Sequence, residues 1–174
     1  MSSLRCRMLR ELAQHREDLS PEQQRRVVET ALAACNDGAN VAFTTSQLDV
    51  DIRQALAAAS GNSDRLVQIM ARKLCDGKYR YINEIHHLRP GAYVRWLREG
   101  SSLLTVGGRV ATVRPNDNGS MLVACRCGPG RVVQYNFNNA LTFQKLSEDE
   151  LIVLALNDIA ASEDDDENRH KNLS

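Results

Sequence analysis

The chain is short of aromatic side chains, has one tryptophan and four prolines, and contains no long apolar run; each shortage excludes something. Aromatic residues make up 5% of the 174, so any compact β module must build its core mainly from aliphatic side chains. No apolar stretch approaches the ~18–20 residues that a membrane span needs, and the polar N-terminus lacks the apolar core of a secretion signal. The expectation is a protein inside the cell, cytoplasmic or nuclear, without a membrane partner. The nucleophile-elbow, phosphate-loop, zinc-helix and dinucleotide fingerprints (G-x-S-x-G, G-x-x-x-x-G-K-[ST], H-E-x-x-H, G-x-G-x-x-G) are all missing. Carboxylates are also too sparse in the middle of the chain for paired acid/base work. No enzymatic activity, no cofactor and no metal are expected. What is present, 43% apolar and 25% charged residues, suits a globular chain.

The five cysteines are an odd number and widely spaced, which argues against a disulfide framework. Cys125 and Cys127 form C-x-C with no second metal-ligand pair elsewhere, so they are read as two small apolar residues on one face of a strand. His86 and His87 are adjacent. In a strand their rings would point to opposite sides, which leaves them as exposed hinge histidines, with Glu84 spaced for a contact with His87.

Charge is the most informative property, because the net zero conceals segregation. Residues 1–77 carry ten cations and ten acids; residues 78–146 carry ten cations against three acids (Glu84, Glu99, Asp117); residues 147–174 carry two against nine. A middle segment of net +7 points to an anionic partner.

The spacing divides the chain into four parts. Residues 1–77 read as a helical unit of about four helices: one through Leu4, Met8, Leu9 and Leu12; one opened by Ser20, Pro21 and Gln23 as a capping box; one over 46–59; and one over 64–75 stopped by "DG". The alanine-rich faces "ALAAC" and "ALAAAS" allow close helix contact, a route to homo-oligomers. Residues 78–146 change to period two in five short segments, "AYVRWL", "GGRVATV", "SMLVACRC", "RVVQYNF" and "LTFQKL". Turn signals separate them at 90–91, 107–108, 115–119 and 128–130. Five short strands at this spacing fit a small closed barrel of the SH3-like or Tudor-like kind better than a sheet with open edges. "SEDE" caps a helix over 147–161, and 162–174, with one aliphatic residue in thirteen, reads as a disordered acidic tail. The expected class is therefore α+β.

Within the basic segment, arginine is interleaved with aromatics. Arg95, Arg98, Arg109, Arg114, Arg126 and Arg131 are the candidate nucleic-acid contacts, with Tyr93 and Trp96 as candidate stacking groups. Alternation puts Arg95 beside Tyr93 and Leu97, so Arg95 must snorkel or pair if those two pack inward. The reading is non-enzymatic nucleic-acid or nucleoprotein binding, salt-dependent and weakly sequence-specific, with the tail as an intramolecular competitor. The alternative is a protein–protein adaptor or structural component that meets an acidic protein surface. The order "PG-x-Y-[VI]-R-W", a double-glycine strand start and a final "F-x-K-L" over residues 86–148 resembles small uncharacterised proteins of large nucleocytoplasmic DNA viruses. That resemblance implies a viral product, packaged in the virion, and carries no catalytic residues with it.

Overall fold

The computed structural model describes residues 22, 43–59, 63–148, 150–151, 153–155, 157–158 and 161. The expected helices over 4–12 and 21–35, apart from Glu22, and the acidic tail lie outside the described residues. The chain divides into two compact units, Thr45–Ser147 and Met1–Thr44 with Glu148–Ser174. In the second, the described residues between 148 and 161 are helical, as the "SEDE" cap predicts, and Asn157 Nδ2 donates to the Phe43 carbonyl at 3.1 Å.

The unit Thr45–Ser147 starts with α1 (Thr45–Ala59) and α2 (Asp64–Leu74). Helix α1 buries Leu48, Ile52 and Leu56, a spacing of four that keeps one stripe inward. Helix α2 buries Met70, Ala71 and Leu74, with Asp64 in its first turn and Arg72 and Lys73 in its last, the charge order its dipole favours. Asp76 and Gly77 then adopt left-handed backbone (φ 66° and 64°) and stop the helix. The Asp76 N–H donates to the Asp49 carboxylate at 3.1 Å, so the stop is tied to α1. No helix among the described residues is long and apolar enough to cross a membrane.

Six strands follow: β1 (Tyr79–Ile82), β2 (Tyr93–Arg98), β3 (Gly108–Pro115), β4 (Met121–Arg126), β5 (Val132–Asn136) and β6 (Ala140–Lys145). They form one antiparallel sheet in the order β1-β6-β2-β3-β4-β5. This corrects the expected class in two respects: the sheet has six strands instead of five, and it is open, with β1 and β5 as unpaired edges, instead of a closed barrel. The helices differ too, since α1 and α2 do not pack only on each other as a helical unit would. Their buried stripes share a core with Tyr79, Leu97 and Phe143 from the sheet.

Two local features keep the sheet from closing. First, β2 and β3 pair only at Tyr93–Arg109 and Val94–Gly108. Beyond that point the 99–107 loop takes over, with the Thr105 N–H donating to the Trp96 carbonyl (3.1 Å) and the Trp96 N–H to Thr105 Oγ1 (2.9 Å). Second, the edge strands are short, four residues in β1 and five in β5, so neither offers much backbone for a closing ladder. The sheet nevertheless curls strongly. The Trp96 and Tyr135 rings stack at 4.5 Å and 9° across three strand steps, and the Tyr135 hydroxyl lies 3.1 Å from Thr142 Oγ1 on β6. Inside the curl lie Val94, Trp96, Val110, Val123, Cys125 and Tyr135. Gly107 (φ 105°) lets the end of the 99–107 loop come close against β2, because a Cβ there would collide with the Val94 carbonyl.

Strand β3 departs from strict alternation. Strict alternation along "GGRVATV" would group Val110 with Thr112 and Ala111 with Val113. A bulge between Val110 and Thr112 shifts the register by one residue. Val110 and the half-buried Val113 therefore both join the inner core, while Arg109, Thr112 and Arg114 are exposed.

Candidate nucleic-acid interface

The outer face of the sheet has two halves. Over β1, β6 and β2 it is covered by α1 and α2, which bury Tyr79, Leu97 and Phe143. Over β3, β4 and β5 no described helix covers it, and the cross-strand register arranges its side chains in three rows. Arg109 pairs with Arg126, which pairs with Val132; Thr112 with Ala124 and Gln134; and Arg114 with Leu122 and Asn136. Tyr93 extends the first row, standing opposite Arg109.

Arg109 and Arg126 are thus directly opposed, with Cα atoms about 5 Å apart. Like charges in that position are destabilising, and no acid among the described residues relieves them. Among the described residues none of Arg98, Arg109, Arg114, Arg126 and Arg131 makes an ion pair. Arg109 Nη1 reaches only the Gly91 carbonyl, at 3.3 Å. The bulge brings Arg114 to the same face, four residues along β4 from the first row, or roughly 13 Å at ~3.3 Å per residue. Arg131 sits in the β4–β5 turn next to that row, its carbonyl accepting from the Cys127 N–H at 2.9 Å.

The other candidates go elsewhere. Arg95 is half-buried on the covered half, where Nε donates to the Thr105 carbonyl at 2.8 Å and the positive charge lies close enough to Tyr79 to favour its ionised form, against the larger effect of burial. It pairs inward, as its position beside Tyr93 and Leu97 required. Arg98 is exposed at the far end of β2, roughly 16 Å along the strand from Tyr93. There it borders two open clefts of about 620 and 520 Å³. Trp96 is 2% exposed and its ring is committed to Tyr135, so it offers no stacking face; the structure corrects that assignment. Tyr93 is half-buried, with its hydroxyl donating to the Val106 carbonyl at 2.9 Å.

Cys125 is fully buried and Cys127 half-buried beside it. Burial pushes the Cys125 thiol up to about 12 from its ordinary 9.0, with the neighbouring Cys127 adding to the rise. Cys125 therefore packs as a neutral apolar residue at ordinary pH. Tyr135 is raised for the same first reason, burial.

Sequence reading found the arginines but missed their arrangement. The Arg109–Arg126 opposition is set by the β3–β4 register, which periodicity does not report. A second grouping was also missed. Residues 85–87 form a 3-10 turn, not a strand, and the His86 and His87 ring centroids lie 4.0 Å apart, not on opposite sides. Glu84 approaches His86, with Oε2 3.3 Å from Nδ1. Comparison of the chain with protein-family models, with curated proteins and with solved structures finds no match.

Proposed function

We propose that this protein binds nucleic acid non-enzymatically through the uncovered outer face of β3, β4 and β5, with Arg109, Arg126 and Arg114 as the phosphate contacts and Arg131 at the rim. One observation carries the reading: two arginines stand opposite each other on adjacent strands, and no carboxylate among the described residues pairs with either. An anion that both guanidinium groups share turns that repulsion into a favourable contact, and arginine forks match phosphate geometry. No base-reading element accompanies them, so the binding is governed by phosphate contacts and is weakly sequence-specific. The acidic segment 162–174 acts as a competitor for the same face, supported by its composition. Arg95 and Trp96 are left out of this surface. An acidic protein surface is the partner that remains if nucleic acid does not bind.

The test titrates labelled single- and double-stranded nucleic acid at two salt concentrations. With three or four phosphate contacts, the logarithm of affinity should fall against the logarithm of salt with a slope of roughly −3 on duplex DNA. Reversing Arg109 and Arg114 together (R109E/R114E) should lower affinity at least tenfold at low salt while the melting temperature does not fall. Deleting 162–174 should raise affinity. Absence of binding at low salt, or binding indifferent to the double reversal, would sink the reading.

A further inference from the structure

We infer that Glu84, His86 and His87 form a binding site for a divalent transition-metal ion, with zinc as its simplest occupant, separate from the arginine face and independent of the nucleic-acid reading. The three donors lie on the segment just after β1, and their ligand atoms all fall within 4.8 Å of one another. Among the described residues no other three histidine, cysteine or acidic side chains bring donor atoms that close. The Glu84 Oε2 to His86 Nδ1 separation of 3.3 Å is what two donors of a tetrahedral ion need. Bonds of about 2.0–2.1 Å at the tetrahedral angle set the donors about 3.3–3.4 Å apart. The second imidazole lies beside the first, tilted by 53° at 4.0 Å between centroids, with one of its nitrogens within 4.8 Å of both other donors.

The backbone beneath the donors is held before any ion arrives. The His87 N–H donates to the Glu84 carbonyl and the Leu88 N–H to the Ile85 carbonyl, both at 3.1 Å, closing the 3-10 turn. Ile85 packs against the inner core and Leu88 is 5% exposed, so the apolar residues of "EIHHL" are anchored while its three donors face solvent. The Arg80 guanidinium donates to the His87 carbonyl at 3.0 Å, and the Arg89 N–H to Gln144 Oε1 at 2.9 Å, fixing the segment at both ends. A Glu84–His86 ion pair alone would need neither the second ring nor this anchoring. Two imidazoles and one carboxylate favour zinc, nickel or copper over magnesium or calcium. They also leave one coordination position for water or an external oxygen or nitrogen donor. The nearby arginines repel a dication, so the affinity is that of an exchangeable site.

The full chain is titrated with Zn2+ by calorimetry and, separately, with Co2+ by absorption. The expected result is one equivalent bound, with no heat from Mg2+ or Ca2+. The His86→Ala/His87→Ala variant should weaken Zn2+ binding at least tenfold, and Glu84→Gln should weaken it less. Both variants should melt within a degree or two of the native chain, since all three side chains are exposed. Cobalt distinguishes the donors, because thiolate ligation gives intense near-ultraviolet charge-transfer bands that imidazole and carboxylate do not. Those bands would assign the binding to cysteine and overturn the proposal. Zinc affinity unchanged in the double histidine variant would overturn it equally.

Discussion

The covered and uncovered halves of one sheet treat the same residue type in opposite ways. On the half beneath α1 and α2, Arg95 is drawn in, its Nε held by the Thr105 carbonyl and its charge set against the Tyr79 hydroxyl. On the bare half, Arg109, Arg126 and Arg114 have no anionic partner among the described residues, and the first two face each other. Neighbouring layers, more than residue identity, decide whether an arginine is structural or available. On the covered half the guanidinium exchanges water for a fixed acceptor; on the bare half it stays hydrated.

The sharpest way to break that contrast is stability. Leu56→Ala on the covered half removes a fully buried side chain and should cost ~2–5 kcal/mol by urea denaturation, whereas Thr112→Ala on the bare half should stay within ~0.5 kcal/mol. Equal losses would mean that α1 does not pack on the sheet. Next in size, Arg95→Ala should destabilise by ~1–3 kcal/mol, because it strands the Thr105 carbonyl and removes a charged hydrogen bond. Arg109→Glu should instead stabilise by ~0.2–1 kcal/mol, as it converts the like-charged pair with Arg126 into an opposite-charged one. If both variants move stability in the same direction, the two halves are not distinct.

A further effect is alkaline. Burial raises the Cys125 thiol from 9.0 to about 12, so the folded chain holds that proton more tightly than the unfolded chain does. The resulting stabilisation is complete below pH 9 and is lost as pH climbs from there toward about 12. Tyr135, Tyr79, Tyr81 and Cys75 are raised in the same direction, so both halves contribute to the loss. Melting temperature should fall between pH 8 and pH 10.5, and Cys125→Ala should make that fall shallower. An unchanged slope would show that Cys125 is not buried as described.

What the sequence revealed follows from what periodicity encodes. The third and fourth helices and the alternation of β2 were legible, because each depends on spacing within a single element; Arg95, by sequence a candidate nucleic-acid contact, instead pairs with a loop carbonyl. Strand β1 was not, since "YRYI" is too short to show a period. Closure was not either: it depends on Thr105 taking the pairing position beside Trp96, a contact between a loop and a strand. Trp96 illustrates the same limit, its neighbour Arg95 being placed by alternation while its own stack on Tyr135 required the sheet to curl. At the surface, composition located the positive charge, but only register set Arg109 against Arg126. The adjacent histidines were misplaced because a 3-10 turn sets side chains at angles that neither helix nor strand templates supply.

The bulge at Ala111 makes β3 one residue longer than its partner ladder requires. Removing Ala111 would leave Val110, Thr112, Val113 and Arg114 on the sides they now occupy, since ordinary parity places them there once the surplus is gone. It would also release the extra twist a bulge imparts, straightening the ribbon that folds Tyr135 over Trp96. A shortened β3 would thus keep its charges facing outward yet present them on a flatter, wider platform. One alanine sets the curvature of the surface a polyanion would meet.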